Sequence, residues 1–318
     1  MTPALADANN GNWQTAKRWA HLLADHYRVR LARHWGNDPA TDEPADCLIA
    51  LHARRSAASI AAWASIHPQR PLVVVLTGTD LYRDIDIDES AQRSLALAHR
   101  LIVLQEMGPQ ALPPSLHDKC HVVFQSCRSR RPLSKSATRL RALMVGHLRD
   151  EKSPQTLFDA ARLIAPHEGI LIDHIGAALD PALGEAAGQT QALAPHYRWL
   201  GALAHEPTRE RIQRAHVLVH ASRMEGGAHV VMEAVASGTP VLASDIPGNV
   251  GMLGRDYRGY FPVADAPALV QRLRRLRMDQ SSGSGELADL RAQCDLRAPL
   301  FEPGAERAAL LTVLAGLH

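Results

Sequence analysis

The feature that most constrains the fold is an alternation of short apolar runs with stretches of helical spacing, which occurs twice along the chain. In the first half, helical spacing marks three segments, around Trp19, over 57–64 and over 90–99. The apolar runs predicted as strands there are 27–32, 47–52, 72–77, 101–105 and 122–125. Because parallel sheets are covered by helices on both faces, this alternation predicts a parallel α/β domain.

A second alternating series follows a polar, basic stretch that has no periodicity. Its predicted strands are 142–145, 171–175, 197–200, 217–220, 241–243 and 260–263, and its predicted helices include 154–164, 207–215 and 228–237. The prediction is therefore two Rossmann-like domains, with a flexible break over 281–285 before the last helix. The boundaries are 1–127 for the first domain, 128–138 for the linker, 139–300 for the second domain and 301–318 for a C-terminal helix that can cross back to the first.

The start of the chain departs from this pattern. Asn9-Asn10-Gly11-Asn12 comes before a full strand has been completed, although a sheet of this type normally opens with its own strand. We therefore expect the first strand of the first domain to be truncated, or an upstream start to encode it.

Composition excludes several classes of protein. The formal net charge is +2 and the densest basic stretch is interrupted by Ser and Pro, so no nucleic-acid partner is expected. No apolar run approaches the ~20 residues of a membrane helix. The four cysteines form no C-x-x-C pair, which argues against a zinc knuckle or redox motif and favours a reducing, cytoplasmic location. The oligomeric state is left open.

The strongest chemical motif lies within 217–244 and contains two carboxylates eight residues apart, Glu225 and Glu233. If helical throughout, that spacing spans ~12 Å, similar to a nucleotide sugar from hexose to ribose. We expect Glu233 to accept hydrogen bonds from the ribose and Glu225 to face the sugar ring. Gly226 and Gly227 allow close backbone approach, and the helix beginning near Ala228 presents free N–H groups to a diphosphate. The alternative is an acidic surface loop followed by a solvated helix acid.

This motif resembles the donor site of the family-4-type GT-B glycosyltransferases, whose E-x7-E pattern matches Glu225 and Glu233 and whose G-x-P-V-x-A-S pattern matches 238–244. The resemblance implies an α/β, GT-B fold in which two Rossmann-like domains face each other across a cleft. It also implies a nucleotide sugar, here a UDP-sugar, as the donor substrate.

A second motif, LMVGHLRDEK, ends a predicted strand at Gly146 and continues with His147, Arg149 and Lys152. In the resembling enzymes an Arg and a Lys five residues apart bind the donor diphosphate. Lys152 matches, whereas His147 stands where Arg is usual, so Arg149 is expected to supply part of the charge and an Arg at 147 to be tolerated. Cations are needed because the leaving diphosphate gains negative charge.

Two candidate groups in the first half are assigned to the acceptor side. Gly11 and Asn12 precede the first helix, where backbone N–H groups can hold an anion, although a simple N-cap turn is the alternative. His52 and Thr79 follow predicted strands, and carboxyl ends of parallel strands are where such sheets bind ligands. In the resembling enzymes a histidine on this rim meets the donor sugar.

The D-x-D pattern in Asp84-Ile85-Asp86-Ile87-Asp88 would suggest a metal site in GT-A enzymes. Here it runs into a predicted helix start, where acidic residues are common because they suit the helix dipole. No metal site and no cofactor are expected.

Four segments in the first part of the chain narrow the resemblance: 11–23, 48–60, 75–85 and 145–154. Together they are similar to the selenosugar synthase of selenoneine biosynthesis. That family transfers a sugar, chiefly N-acetylglucosamine, from a UDP-sugar to selenophosphate. An anionic acceptor of this kind needs no general base, and the sequence shows no Asp–His pair placed to deprotonate a hydroxyl.

Three other functions remain open. The chain can be a GT-B glycosyltransferase for another small polar or glycan acceptor, or a non-catalytic sugar-nucleotide-binding protein. A lipid-linked glycan enzyme would carry a basic, aromatic surface helix, which the aromatic content of 4% disfavours.

Overall fold

A computed structural model of the chain describes residues 1–3, 11–36, 44–280 and 284–317. These residues divide into two compact units. The first comprises Met1–Ser126, Glu225–Gly227 and Glu302–His318, and the second comprises Cys127–Met224 and Ala228–Phe301.

The first unit contains, among its described residues, a four-stranded parallel sheet in the order β1-β2-β3-β4. The strands are β1 (Leu48–Leu51), β2 (Leu72–Leu76), β3 (Arg100–Val103) and β4 (Cys120–Val122). The helices are α1 (Gly11–Leu23), α2 (Ala57–Ile66), α3 (Ile85–Ile87), α4 (Glu89–Leu97) and, from the end of the chain, α12 (Pro303–Ala315).

The continuous apolar run of β2 is explained by burial on both faces of this sheet. Val74 packs into a core that contains Trp63 of α2, whereas Val73 and Val75 pack into a second core that contains Trp19 of α1. A strand covered on both faces needs no polar alternation, which is why β2 reads as five consecutive apolar residues.

The predicted strand 27–32 is wrong. Tyr27 and Val29 are exposed, and the segment forms no regular element. Besides β2, the main chain of Met1 also bonds to β1: its ammonium group donates to Ile49 O (2.6 Å) and its carbonyl accepts from Leu51 N (3.1 Å). Burial lowers the pKa of this ammonium group to about 6.

The second unit contains a six-stranded parallel sheet among its described residues, in the order β10-β9-β8-β5-β6-β7. The strands are β5 (Leu140–Val145), β6 (Ile170–Ile175), β7 (Tyr197–Trp199), β8 (Val217–His220), β9 (Val241–Ser244) and β10 (Tyr260–Phe261). The helices are α5 (Pro154–Leu163), α6 (Pro181–Leu193), α7 (His205–Arg214), α8 (His229–Val235), α9 (Pro247–Leu253), α10 (Ala266–Asp279) and α11 (Glu286–Arg297).

The prediction of two parallel α/β halves is confirmed. Apart from the segment 27–32, the predicted helices and strands differ from the structure mainly in where they begin and end. The helix predicted over 228–237 is shorter, since α8 spans only His229–Val235 and Gly238, at φ 64°, has the left-handed backbone of a helix end. The strand predicted over 122–125 is displaced to Cys120–Val122. Residues 4–10 and 281–283, including Asn9, Asn10 and most of the predicted flexible break, lie outside the described residues.

The segment predicted as a linker, 128–138, makes hydrogen bonds within the second unit. Arg130 N donates to Ala236 O (2.9 Å), Leu133 N donates to Gln213 O (3.3 Å), and the whole stretch belongs to the second unit. Its Ser and Pro residues remove helical or strand periodicity without removing tertiary contacts, so the sequence alone did not reveal these hydrogen bonds.

The last helix belongs to the first unit: Leu310, Val313 and Leu314 pack into the core that contains Trp19, and the helix also carries a buried carboxylate, Glu306, which is 1% exposed. It accepts hydrogen bonds from Trp19 Nε1 (2.6 Å), Arg18 Nε (2.8 Å) and Ser126 N (2.9 Å). The carboxylate thereby connects α12 with α1 and with the segment after β4.

We expect Glu306→Ala to destabilise the first unit by about 3 kcal/mol, because it leaves buried donors of Trp19 and Ser126 without an acceptor. Urea unfolding monitored by tryptophan fluorescence measures this change. Glu302→Ala, at an exposed residue before the same helix, is the matched control. Equal unfolding midpoints for the two variants would contradict this role for Glu306.

Candidate active site

The strand order of the second unit identifies where a ligand can enter. β5 comes first in this unit, β6 and β7 extend to one side of it, and β8 to β10 extend to the other. The connections that leave β5 and β8 therefore diverge at the carboxyl ends of two neighbouring strands. Open α/β sheets bind ligands at such a reversal of strand order. Both motifs predicted to bind the donor follow these two strands.

The loop after β5 carries Gly146, His147, Arg149 and Lys152. The position that a side chain at Gly146 would take lies 3.5 Å from Cγ and Cδ of Lys152, so the lysine stem passes over the bare backbone there. Arg149 is half exposed, and its Nε lies 3.9 Å from Glu151 Oε2. The structure thus brings these four predicted residues together in one loop.

His147 is fixed by the neighbouring loop after β6. Ala177 N donates to its Nδ1 (3.1 Å), so the ring proton resides on Nε2. Burial and the nearby charges of Arg149 and Lys152 lower its pKa, which keeps the imidazole neutral. His147 can therefore offer an N–H to a phosphate but adds no charge at neutral pH.

Two features of the structure count against the expected tolerance of arginine at position 147, which stays a prediction. Arginine has no acceptor, so it would leave the N–H of Ala177 without this partner. The two loops also approach so closely that a side chain at Gly176, where φ is 157°, would stand 1.9 Å from Gly146 O. A larger residue at 147 would have to fit beside this close contact.

A contact that the sequence did not reveal joins the loops after β5 and β8. Arg223 N donates to Glu151 O (2.9 Å), and Arg223 Nη1 lies 3.2 Å from Asp150 Oδ1. These residues lie in the loops that follow adjacent strands. The pairing holds the lysine-bearing loop in place.

Glu233 lies on α8 with only 11% of its side chain exposed. His205 Nε2 donates to its Oε1 (2.8 Å), and Arg209 Nη1 lies 3.6 Å from the same oxygen. Both partners are on α7. Ala228 precedes α8 as its N-cap residue and supplies no side-chain cap.

Glu225, Gly226 and Gly227 group with the first unit rather than with the second. A side chain at Gly226 would stand 2.4 Å from the carbonyl carbon and oxygen of Thr77, so glycine is required there. The segment is not helical, and the ~12 Å separation estimated for Glu225 and Glu233 assumed a continuous helix, so that estimate does not apply.

His52 and Thr79 lie together in the first unit, 3.2 Å apart between Nε2 and Oγ1. His52 has φ 73°, a left-handed conformation that is rare for a residue with a side chain and is typical of functional positions. Thr79 precedes a π-helical turn, Asp80–Asp84, a distortion that also occurs often at functional sites.

The structure brings two aspartates near His52, at distances longer than a hydrogen bond, so the expectation of no Asp–His pair placed to deprotonate a hydroxyl is not contradicted. His52 Nδ1 lies 3.8 Å from Asp80 Oδ2, and His52 Nε2 lies 3.9 Å from Asp84 Oδ2. The two aspartates follow β2 whereas His52 follows β1, so the sequence did not show that they meet.

Both aspartates are nevertheless engaged elsewhere. Asp80 accepts hydrogen bonds from the backbone N–H groups of Ala53 (3.0 Å), Thr77 (2.8 Å) and Gly78 (2.9 Å). Asp84 lies 3.0 Å from Arg54 Nε. Burial is the largest influence on His52 and lowers its pKa.

Gly11 and Asn12 form the first turn of α1, where Thr15 Oγ1 donates to Gly11 O (2.8 Å). No hydrogen bond or ion pair joins either residue to His52 or Thr79 in the part of the chain that is described. Their assignment to the acceptor stays a prediction.

The D-x-D segment has structural partners. Asp88 caps α4 by accepting from Ala91 N (3.0 Å), and Asp84 faces Arg54 and Arg83. Within the described residues, no group of three or more His, Cys, Asp or Glu side chains is placed to hold a metal ion. Nor does any helix there have the length and apolar character needed to cross a membrane.

Comparison with known proteins agrees with this architecture. In fold, the chain is similar to HepE from Anabaena in complex with UDP, with a TM-score of 0.69 and 17% identity over 85% of this chain and 79% of HepE. It is also similar to sucrose-phosphate synthase from Thermosynechococcus elongatus, with a TM-score of 0.68 and 19% identity over 86% of this chain and 73% of that one.

A variant of TarM from S. aureus gives a TM-score of 0.66 and 12% identity over 83% of this chain, which spans only 55% of TarM. These likenesses confirm the predicted GT-B fold. No curated protein sequence matches the chain.

The family of glycosyl transferases group 1 matches residues 126–295, which include the loops after β5 and β8 described above. The match covers more than half of the chain. The protein therefore belongs to the glycosyl transferases group 1 family.

Proposed function

We propose that the protein transfers a sugar, N-acetylglucosamine or glucose, from a UDP-sugar to selenophosphate, forming a selenosugar. The observation that carries the donor half of this proposal is the reversal of strand order at β5 and β8. It places Lys152 and a partly exposed carboxylate, Glu233, on elements that follow two neighbouring strands. HepE in complex with UDP and UDP-glucose supports the choice of nucleotide.

On this proposal the second unit binds UDP. Glu233 accepts hydrogen bonds from the ribose hydroxyls, and the loop after β5 receives the diphosphate. Lys152 and Arg149 supply positive charge, and neutral His147 donates from Nε2. Fixed cations aimed at the leaving diphosphate stabilise the charge that develops as the glycosidic bond breaks. The proposal assigns this task to side chains and requires no metal ion.

The first unit is proposed to contact the transferred sugar and the acceptor anion. Glu225 faces the sugar ring, with Gly226 and Gly227 allowing close approach of the backbone. Asn12 and Gly11, at the start of α1, hold the acceptor anion, and His52 and Thr79 contribute polar contacts. Arg54 and Arg55 beside His52 suit an anionic acceptor.

The state of His52 supports an acceptor that is already anionic. Arg55 N donates weakly to its Nδ1 (3.4 Å), and on this proposal Nε2 carries the ring proton and donates to Thr79 Oγ1. A protonated Nε2 is not a base, and Asp80 and Asp84 are already engaged with donors. A hydroxyl acceptor would need proton removal, whereas the selenium of selenophosphate would not.

The transfer balances without a further reactant. Selenium forms a bond to the anomeric carbon while the bond between that carbon and the β-phosphate oxygen breaks. UDP leaves with the bonding electron pair, and its added charge meets Lys152 and Arg149. Neither oxidant nor reductant is consumed.

The decisive assay combines the protein with UDP-N-acetylglucosamine or UDP-glucose and measures UDP release with selenophosphate, with an alcohol acceptor and with neither. We expect selenophosphate alone to accelerate UDP release and to give a selenium-bearing sugar by mass spectrometry. Asn12→Asp should impair this reaction by charge repulsion while sparing UDP binding. If an alcohol accelerates release and selenophosphate does not, the acceptor assignment fails and glycosyl transfer to another acceptor stands. If nothing accelerates release, the catalytic proposal itself fails.

Glu233→Ala should weaken UDP binding by about 10- to 100-fold, because a charge-assisted hydrogen bond contributes about 1.5–3 kcal/mol. Glu225→Ala should lower turnover more than UDP affinity, since it is placed against the sugar rather than the nucleoside. Titration calorimetry with UDP and steady-state kinetics separate the two effects. Wild-type affinity together with full activity in both variants would overturn the assignment of both carboxylates.

Lys152→Ala should reduce kcat by ~10²–10³, the usual effect of removing one electrostatic donor from a transition state. Lys17→Ala, at an exposed position on α1, provides a control for loss of a surface lysine. Turnover should persist in EDTA. Abolition by EDTA with recovery in Mn²⁺ would instead assign leaving-group stabilisation to a metal ion.

A further inference from the structure

We propose that His205 is a positioning residue for the nucleoside end of the donor: it fixes the carboxylate of Glu233 so that one oxygen faces the ribose hydroxyls. This inference rests on the proposed binding of UDP by Glu233. His205 is assigned no contact with the ligand itself and acts through Glu233.

The first support is that both basic partners of Glu233 converge on one oxygen. His205 Nε2 donates to Oε1 (2.8 Å), and Arg209 Nη1 lies 3.6 Å from that same atom. One hydrogen bond and one nearby cation at Oε1 favour a single rotation of the carboxylate plane. They leave Oε2 as the oxygen directed to a further donor, such as a sugar hydroxyl.

The second support is the difference in exposure between the two partners. Arg209 is buried, and its Nη2 donates to Arg128 O (3.0 Å), so it supplies a fixed charge that compensates Glu233. The side chain of His205 is 66% exposed whereas that of Glu233 is 11% exposed. The imidazole therefore contributes little to core packing, and its ordered contact is the hydrogen bond to Glu233.

The surroundings of His205 keep this donor available. Nε2 faces Glu233, and Nδ1 lies 3.7 Å from Glu206 Oε1. The hydrogen bond that His205 donates to Glu233 is the main cause that raises the pKa of His205, and the charge of Arg209 opposes it. Glu206 is itself paired with Arg130 at 2.7 Å. Because both the neutral and the charged imidazole can carry a proton on Nε2, the hydrogen bond can persist through titration.

A glutamate whose side chain is already immobilised before the ligand binds gives a higher affinity. A free glutamate side chain loses rotamer entropy when a ligand immobilises it, and that loss is subtracted from the affinity. If His205 has already immobilised Glu233, UDP gains the ribose hydrogen bonds without this loss. Removing His205 should then weaken only those ligands that use the hydroxyls.

The test compares wild type with His205→Ala for binding of two ligands, UDP and 2′,3′-dideoxy-UDP, by titration calorimetry. We expect the substitution to weaken UDP binding by ~10-fold and binding of the dideoxy ligand by less than ~2-fold, since one hydrogen bond of this class is removed. His205→Gln, which retains an N–H donor, should recover most of the affinity for UDP. In steady-state assays, KM for the UDP-sugar should rise while kcat stays close to that of wild type.

Glu210→Ala, an exposed residue on the same helix paired with Arg214, is the control for a general disturbance of α7. Equal weakening of both ligands in His205→Ala would show a structural role and overturn the inference, as would unchanged UDP affinity. If the wild type binds UDP no more tightly than the dideoxy ligand, Glu233 does not bind the ribose hydroxyls. That result would overturn this inference as well. If wild type does not bind UDP at all, the proposed function fails first.

Discussion

The chemistry of the second unit depends on the pairing of β5 with β8. Ala142 and Leu143 of β5 lie in register with Val217 and Leu218 of β8, although 75 residues separate the partners in the chain. This pairing makes neighbours of two loops that the sequence keeps far apart. The cations after one strand and the carboxylate-bearing helix after the other follow neighbouring strands for this reason. Without that ladder, Arg223 could not reach Asp150 and Glu151.

Periodicity was sufficient to predict the two parallel sheets because nearly every strand is buried on both faces. It failed at 27–32, where alternating apolar and basic residues mimic a strand but lie at an exposed edge. It gave no information on the contacts of 128–138 with α7 and the end of α8, because such contacts leave no trace in local spacing. Strand prediction succeeds where burial dictates composition and fails where tertiary hydrogen bonds alone hold a segment.

The sequence likewise predicted some residues of the candidate site and missed others. The motifs gave Lys152, Glu225 and Glu233 because their spacing is local to one loop or one loop–helix segment. The partners of these residues were not predictable: His205 and Arg209 precede Glu233 by a whole helix and strand, and Asp80 and Asp84 follow a different strand from His52. A single sequence carries no signal for such pairs. A weak hint existed for His205, because a helix whose exposed first turn contains histidine and glutamate offers ionisable groups to its neighbours.

The buried carboxylate of Glu306 has a consequence for the order in which the protein can mature on the ribosome. The first unit needs hydrogen-bonding partners that lie far apart in the sequence, Trp19 and Glu306, and the ribosome makes the second only after the whole second unit. Domains ordinarily fold as they emerge, the N-terminal one first. Here the acceptor of the Trp19 indole is synthesised only after the entire second unit. The nascent first unit therefore spends translation without Glu306 and without Leu310, Val313 and Leu314 of α12, which complete the apolar core that contains Trp19.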